Sequence, residues 1–445
     1  MSFISIPFFI FFILVLLIGS IIQKFFPTKI YNLFLLLCNY IFYSYYNYKF
    51  SFLLLLVTLT IFICAKKNNK VSFYVGIVSS LFPLLFFKYS NFILSNLHLN
   101  VLNIAMPLGI SFYAFEAISY LVDVKRGKYE TEDDFVIFAL YLSFFPNIAS
   151  GPIERANNLL VQFKENRKIS LDNIKIGIQI IVFGLFKKMV IADRLSVFVD
   201  DIYHSPKAFN WLTLLLAIFS YSIQIYMDFS GYSDIAVGCA KCLGFDFKKN
   251  FDLPYISYNL TQFWRKWHIS LSTWFKDYVY IPLGGNRKGN FRKNLNLIIV
   301  MSLSGLWHGA NWTYILWGFV NGVLLCVEKV FNKKNNIFTL LINFILISFI
   351  WVLFKASSIS NCFEIYKAIF TLQDGIKQPY IWSFVAFIFI IIYLILRKYR
   401  NDLYMDYYPI QDLNTIKGLT IFFVFVGLLI CLAYTNTNPF VYFQF

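Results

Sequence analysis

Long apolar runs separated by short polar stretches recur from one end of the chain to the other. A helix needs about 20 mostly apolar residues to cross the hydrocarbon core of a bilayer. Several of the runs are shorter, so the pattern predicts about 10 to 13 helices, some of them tilted, broken or re-entrant. The predicted spans are residues 3–23, 30–48, 50–65, 71–87, 107–122, 135–150, 176–192, 211–228, 294–304, 312–328, 336–354, 380–396 and 418–435.

The composition agrees with this pattern. Of the 445 residues, 59% are hydrophobic and only 14% are charged, which is typical of an integral membrane protein. Runs of this length favour helices over barrel strands, so the predicted fold is an all-α, polytopic transmembrane helical bundle in the lipid bilayer. The first run has no basic leader and no cleavage site, which favours a retained helix over a signal peptide.

The net charge of +16 comes from short basic clusters between the apolar runs. Such clusters orient a membrane protein, and they give no reason to expect a nucleic-acid partner. Basic residues follow the first and third spans at Lys24, Lys29, Lys66, Lys67 and Lys70. By the positive-inside tendency, both loops are cytoplasmic and the N-terminus is extracytoplasmic.

One predicted span carries a single carboxylate, Glu116, within residues 107–123. An ionisable group at membrane depth is costly unless it is paired, so Glu116 is either a functional residue or a hydrogen-bonded contact between helices. Downstream, residues 143–155 contain two prolines and a glycine, which end or break a helix. A break at membrane depth requires protein or a cavity to satisfy the freed backbone groups.

Polar residues are concentrated at 222–234, where Gln224 and Asp228 share one face of a helix and Ser230 follows. This cluster predicts the lining of an interior cavity. Residues 241–293 are basic and aromatic, which is typical of a cytoplasmic segment lying among lipid headgroups. Alternatively, its cations attract an anionic, phosphate-bearing donor; they include Arg265, Lys266, Arg287 and Lys288.

Two of the four histidines lie among tryptophans: His268 in residues 263–270, and His308 in Ser-Gly-Leu-Trp-His-Gly-Ala-Asn-Trp at 304–312. Burial favours a neutral imidazole, which can act as a general base on a hydroxyl. The alternative is a core histidine that is hydrogen-bonded to a neighbouring helix. The chain has no nucleophile elbow, and it has no zinc-binding motif of the His-Glu-x-x-His type. Direct transfer from a bound acyl donor to a bound hydroxyl is therefore the simplest chemistry, with no metal predicted.

These motifs together resemble the membrane-bound O-acyltransferases, most closely the bacterial branch typified by alginate O-acetylation proteins. The resemblance covers residues 105–325 approximately, and its motifs are specific as a set. They are Pro-Leu-Gly-Ile-Ser-Phe-Tyr at 107–113, Ser-Tyr-Leu-Val-Asp at 119–123, Gly-Pro-Ile at 151–153, Met-Asp-Phe-Ser-Gly-Tyr-Ser-Asp at 227–234, Phe-Trp-Arg-Lys-Trp-His-Ile-Ser-Leu-Ser at 263–272, Tyr-Ile-Pro-Leu-Gly-Gly-Asn-Arg at 280–287 and Leu-Trp-His-Gly-Ala-Asn-Trp at 306–312.

The resemblance implies a catalytic role for His308 and a second functional role for His268. A further histidine common in the branch is replaced here by Asn321. It also implies three segments: N-terminal helices at 1–104, a catalytic core at 105–328 and C-terminal helices at 329–445. Residues expected to contact substrate are Trp307, Asn311, Asp228, Ser230, Gln224, Arg265, Trp264 and Glu116.

The resemblance further implies an enzyme of the bacterial cytoplasmic membrane that binds no cofactor. Its expected acyl donor is acetyl-CoA or another acyl-CoA or acyl-carrier thioester. Its expected acceptor is an extracellular polysaccharide or a separate extracytoplasmic acetyltransferase of the SGNH type. Two alternatives stay open: export of D-alanyl or other acyl groups to cell-wall polymers, and a transporter or scaffold without catalysis.

Overall fold

The computed structural model describes residues 1–148, 150–165, 167–328, 335–398 and 411–435, with the backbone alone at 393–398. The regular structure of these residues is helical, apart from an isolated bridge between Phe209 and Ile376. The prediction of an all-α fold is confirmed.

The helices follow one another closely along the chain. In order they are α1 (Ile6–Phe25), α2 (Thr28–Ser44), α3 (Tyr48–Lys67), α4 (Lys70–Asn96), α5 (Ile110–Lys125), α6 (Phe135–Ser143), α7 (Phe145–Ile148), α8 (Ala156–Lys164), α9 (Leu171–Leu185), α10 (Asp193–His204), α11 (Trp211–Cys242), α12 (Leu260–Lys266), α13 (Ile269–Phe275), α14 (Gly289–His308), α15 (Trp312–Glu328), α16 (Ile337–Lys355), α17 (Ile359–Phe370), α18 (Ile381–Lys398) and α19 (Ile416–Leu432). Segments of π-helix lie at Phe186–Ala192 and Lys276–Tyr280, and a 3₁₀ turn lies at Pro206–Ala208.

Each predicted apolar run falls on a helix. Among the described residues, α1, α3, α4, α11 and α16 are long and apolar enough to cross a membrane by length and composition. Shorter apolar helical segments are found at Phe135–Ile148 (α6 and α7), Trp312–Glu328 (α15), Ile381–Ile392 (within α18) and Ile416–Leu432 (α19). The structure therefore agrees with a polytopic membrane bundle that includes short and broken helices.

The chain divides into two compact units, each discontinuous in sequence. The first unit comprises Met1–Ile181 and Ser233–Lys249, and the second comprises Val182–Tyr232 and Asn250–Phe445. Helix α11 contributes residues to both units. The division into segments at 104 and 328 stays a prediction.

In the first unit, the apolar run at 135–150 is interrupted between α6 and α7, where the proline-containing sequence predicts a break. The Oδ1 atom of Asn39 on α2 accepts a hydrogen bond of 3.1 Å from the backbone N–H of Phe145. The Nδ2 atom of Asn39 donates to Ser143 Oγ over 3.3 Å. A buried asparagine from a neighbouring helix thus satisfies polar groups at the break, as a membrane protein requires.

Glu116 on α5 supports the same broken segment. Its Oε1 atom accepts hydrogen bonds from Asn147 Nδ2 at 2.6 Å and from the backbone N–H of Glu154 at 3.1 Å. Gly109 precedes α5 as its N-cap with a left-handed φ of +65°, and a Cβ there would collide with the carbonyl oxygen of Ile148. The start of α5 therefore lies against the end of α7.

Glu154 extends this network to the loop before residue 250. One carboxylate oxygen accepts a hydrogen bond of 2.7 Å from the backbone N–H of Lys248, and the other accepts one of 2.6 Å from Asn158 Nδ2. Burial raises the pKa of Glu154 above its ordinary value. The two glutamates therefore act as acceptors for backbone and amide N–H groups inside the first unit.

We predict that Glu116→Ala lowers thermal stability while Glu116→Gln preserves most of it. A glutamine Oε1 can accept the same two hydrogen bonds, whereas alanine leaves both donors unsatisfied, at about 1–3 kcal/mol each. The fraction of detergent-solubilised protein that stays monodisperse after heating measures the difference. A stable Glu116→Gln variant that has lost acyl transfer would instead assign Glu116 a functional role.

Candidate active site

His308 is the last residue of α14, in the second unit, and its side chain is buried at 3% exposure. Helices α14 and α15 approach one another closely because glycines line their contact. A Cβ on Gly305 would meet the carbonyl oxygen of Tyr314, and a Cβ on Gly318 would meet that of Met301. The glycine in the histidine motif therefore brings the end of α14 against α15.

Aromatic rings enclose the His308 imidazole. The ring centroids of Trp307, Trp317 and Phe354 lie 4.9, 5.3 and 5.2 Å from it, with interplanar angles of 69° to 87°. The edge-to-face geometry is the one that aromatic rings prefer. The predicted burial of His308 among aromatics is confirmed. Asn321 donates to the backbone carbonyl of Trp317 over 2.8 Å and so supports this wall.

His268 lies at a break between α12 and α13, with a left-handed φ of 42°. Two backbone hydrogen bonds from a neighbouring segment hold the break: Asp252 N–H donates to the Lys266 carbonyl over 2.9 Å, and Ile269 N–H donates to the Asn250 carbonyl over 2.8 Å. The side chain is only 1% exposed. Burial lowers the pKa of His268 well below its ordinary value, which favours the neutral imidazole near neutral pH.

The structure brings the two histidines into contact with one indole. The centroid of Trp307 lies 4.9 Å from that of His308 and 6.0 Å from that of His268. Phe229 of α11 packs edge-to-face on His268, with centroids 4.7 Å apart and planes at 89°. The two histidines and Trp307 therefore form one buried cluster within the second unit.

Trp264 belongs to the same aromatic wall, since its ring lies 5.5 Å from that of Trp317. Its Nε1 atom is buried and has no hydrogen-bond partner among the described residues. The next residue, Arg265, is exposed. Asn311 caps α15: its Oδ1 accepts from Thr313 N–H at 3.1 Å, and its Nδ2 donates to the Ser357 carbonyl at 3.2 Å.

Asp228, predicted to line a cavity, is part of a buried ion cluster. Lys188 Nζ lies 2.6 Å from Asp228 Oδ1 and 2.6 Å from Asp193 Oδ1. All three side chains are at most 2% exposed. A buried lysine between two carboxylates offsets part of the cost of removing these charges from water, so loss of any one partner would leave a buried charge without compensation.

Ser230 lies beside the same cluster and 3.4 Å from Lys187 Nζ, which also lies 4.7 Å from the ring centroid of Phe183. Both lysines belong to the π-helical segment, a conformation that often marks functional sites. A Cβ on Gly231 would meet the Gly184 carbonyl, so α11 passes the segment at backbone contact. The two buried lysines thus differ in surroundings: Lys188 lies between Asp193 and Asp228, whereas Lys187 lies beside Ser230 and Phe183.

Gln224 lies one turn before Asp228 on α11 and is 4% exposed. Its Oε1 atom has no hydrogen-bond partner among the described residues. Unsatisfied buried polar atoms are costly, so this atom is available to a ligand hydroxyl or to water. Glu116 belongs to the first unit, where its Oε1 atom is already hydrogen-bonded.

Sequence reasoning missed three residues that shape this unit: Lys188, Asp193 and Asn250. Two consecutive lysines inside the apolar run at 176–192 were the available signal, because charges at membrane depth need partners. No pattern marks Asn250, which is identified only by its contact with His268. Within the described ranges, no group of three or more His, Cys, Asp or Glu residues could hold a metal ion.

These features define a polytopic helical membrane protein with a buried pair of histidines in an aromatic wall. The sequence model of the membrane-bound O-acyltransferase family matches residues 40–366, which is most of the chain. The chain belongs to this family and is an O-acyltransferase.

Relatives of this chain carry related names. It is 34% identical, over 93% of its length and 94% of the relative, to the probable alginate O-acetylase AlgI of Pseudomonas putida. It is 33% identical to the peptidoglycan O-acetyltransferase of Helicobacter pylori, over 67% of this chain and 64% of that protein. It is 28% identical to the teichoic acid D-alanyltransferase of Bacillus subtilis, over 61% and 71% respectively.

We predict that Lys188→Ala destabilises the protein by about 3–5 kcal/mol, because it leaves two buried carboxylates without their cation. Lys207→Ala is the matched control. Lys207 pairs with Glu364 at 2.9 Å while 77% exposed, and exposed pairs contribute about 0–1 kcal/mol. Thermal denaturation of both purified variants measures the difference. Equal midpoints for the two variants would contradict the stabilising role of the buried cluster.

Proposed function

We propose that this O-acyltransferase moves an acetyl group from cytoplasmic acetyl-CoA across the membrane. The acceptors are hydroxyls of an extracellular polysaccharide, reached directly or through a separate extracytoplasmic transferase. The observation that carries the choice of acetyl is the pattern of relatives. The alginate relative matches at 34% identity over 93% of this chain, whereas the D-alanyltransferase of Bacillus subtilis matches at 28% over 61%.

His308 is the proposed general base. Its imidazole removes the proton of the acceptor hydroxyl while the hydroxyl oxygen attacks the thioester carbonyl carbon. The carbon–sulfur bond then breaks, the new ester keeps the acetyl group, and the proton passes from the imidazole to the CoA sulfur. Atoms and charges balance without a covalent enzyme intermediate.

The aromatic wall supports this chemistry. Trp307, Trp317 and Phe354 surround the imidazole with apolar ring surface, and removal from water disfavours the charged imidazolium relative to the neutral base. A site walled by apolar rings also limits access of water, and water would hydrolyse the thioester. From the sequence alone, burial of His308 is compatible with either core packing or catalysis. In the proposed reaction, this burial contributes to catalysis.

The remaining predicted substrate residues fall into two groups. Gln224 and Trp264 carry buried polar atoms without described partners, so we assign them to direct substrate contact. The exposed Arg265 is suited to the phosphates of the donor. We assign the others to holding the site in place, because their polar atoms already serve the fold; they are Asp228, Ser230, Asn311 and Glu116.

A second candidate is transfer of D-alanyl from a carrier thioester, which the Bacillus subtilis relative's name favours. The same general base would serve, because the bond broken is again a thioester. A transporter or a scaffold without catalysis is not supported by membership of an acyltransferase family. We place the enzyme in a bacterial cytoplasmic membrane with its N-terminus outside, as the basic loops indicate.

We predict that His308→Ala lowers acyl transfer by about 10²- to 10⁴-fold, because the general base is lost. A strain that lacks the chromosomal gene is complemented with each variant, and base-labile acetate and base-labile D-alanine are measured in its cell-envelope and extracellular polymers. Acetate that depends on His308 supports the proposal, whereas D-alanine that depends on His308 supports the second candidate.

His204→Ala is the matched control, since His204 is exposed at the end of α10 in the same unit. This variant is expected to keep wild-type ester levels. A fully active His308→Ala variant, present in the membrane at wild-type abundance, would contradict the catalytic role of His308.

A further inference from the structure

Asn250 contacts His268 through a side-chain oxygen that receives three hydrogen bonds. Its Oδ1 atom lies 3.0 Å from His268 Nδ1, 2.9 Å from Ser270 Oγ and 3.3 Å from the backbone nitrogen of Ser270. Asn250 is 3% exposed, so these contacts are shielded from water. The asparagine precedes Phe251, which also packs near the His268 ring.

The backbone nitrogen of Ser270 determines which way the Asn250 amide faces. A backbone N–H can only donate, so the atom opposite it must be the oxygen. Reversing the amide would place two donors against each other at a buried position, which is costly. The oxygen therefore also faces His268 Nδ1.

This orientation determines the tautomer of His268. An amide oxygen is an acceptor only, so the Nδ1 atom must carry the proton to make the 3.0 Å hydrogen bond. In a neutral imidazole the other nitrogen, Nε2, then has a lone pair and no proton. His268 can accept a hydrogen bond through Nε2, but it cannot donate one there.

The orientation of the ring is also restricted. Phe229 meets the imidazole edge-to-face on α11, and Trp307 lies beside it on α14. The backbone at the break is held by the Ile269-to-Asn250 hydrogen bond, so Asn250 contacts both the main chain and the side chain of this turn. One residue thus sets the position and the tautomer of His268.

We infer that Asn250 is a positioning residue that holds His268 in its Nδ1–H form, so that Nε2 accepts a hydrogen bond from a hydroxyl of the acceptor that neighbours the reacting one. The inference rests on the proposed function and on the functional role that the family resemblance implies for His268. The neighbouring hydroxyl carries a donor hydrogen, whereas the thioester carries acceptors only. His268 therefore orients the acceptor through this second hydroxyl, while His308 removes the proton of the reacting one.

Kinetics of Asn250 variants test this inference in membrane vesicles from the deletion strain. The probe is [14C]acetyl-CoA, and the readout is label in base-labile esters of envelope polymers. Asn250→Ala is expected to lower kcat about 10- to 100-fold, the range found when partners that orient metal-ligating histidines are lost, with little change in the KM for acetyl-CoA. If wild-type vesicles incorporate no label, the variants are compared by D-alanine ester content of the cells.

Asn250→Asp keeps an acceptor at Nδ1–H and adds a charge. Phe229, Phe251, Trp307 and Asn250 contact the imidazole, and none of these four side chains titrates in this range. The new carboxylate is expected to raise the pKa of His268. The Asn250→Asp variant is then expected to stay active at alkaline pH. As the pH is lowered, it is expected to lose activity at a higher pH than the wild type does.

Asn343→Ala is the matched control for general loss of stability. Asn343 is equally buried at 3% and lies in the same unit, but it donates to the Ser257 carbonyl, at 2.8 Å. It is expected to lower thermal stability without changing kcat per folded molecule. An equal fall in kcat for Asn343→Ala and Asn250→Ala would overturn the positioning role.

Other outcomes separate the inference from the proposed function. A wild-type kcat in Asn250→Ala, or a wild-type pH profile in Asn250→Asp, overturns the inference. If His268→Ala is inactive in the same experiment, the functional role of His268 is still supported. A raised KM for acetyl-CoA with unchanged kcat also overturns it, because His268 would then face the donor. A fully active His268→Ala contradicts the proposed role of His268 itself and the inference with it.

Discussion

Polar groups removed from water must find their hydrogen-bond partners within the protein, and this requirement shapes both units. At two breaks in the described helices, a buried side chain or a neighbouring segment receives the freed groups. Asn39 and Glu116 do so at the break after α6, and the segment around Asn250 does so at His268. Specific polar residues therefore support the irregular backbone at both breaks.

The same requirement explains the buried charges of the second unit. Lys188 lies between Asp193 and Asp228, and the π-helical segment that carries it contacts α11 where Gly231 has no side chain. One face of α11 thus carries the ion cluster, while Phe229 on the same helix packs on His268. The polar core and the proposed active site share a helix, so a change that shifts α11 affects both.

Much of this architecture could be predicted from the sequence, because the length of an apolar run and the position of a proline determine the local secondary structure. The runs predicted the helices, and the prolines at 146 and 152 predicted the break after Ser143. The contact of His308 with Trp307 followed from their adjacency in the chain, whereas Trp317 and Phe354 reach the imidazole through tertiary contacts and Trp312 is exposed. The partners of Asp228 and His268 could not be predicted, because Lys188 and Asn250 are distant or unmarked in sequence. Their roles depend on tertiary contacts that no periodicity encodes.

The indole of Trp307 contacts two imidazoles carried by different segments. The separation of the histidines is therefore set by packing on a shared side chain rather than by the reach of a loop. Close-packed protein interiors deform little when a ligand binds, so the distance between the two imidazoles stays nearly constant. The reacting groups must fit this distance. The size of the acceptor, as well as its chemistry, therefore determines whether it can react.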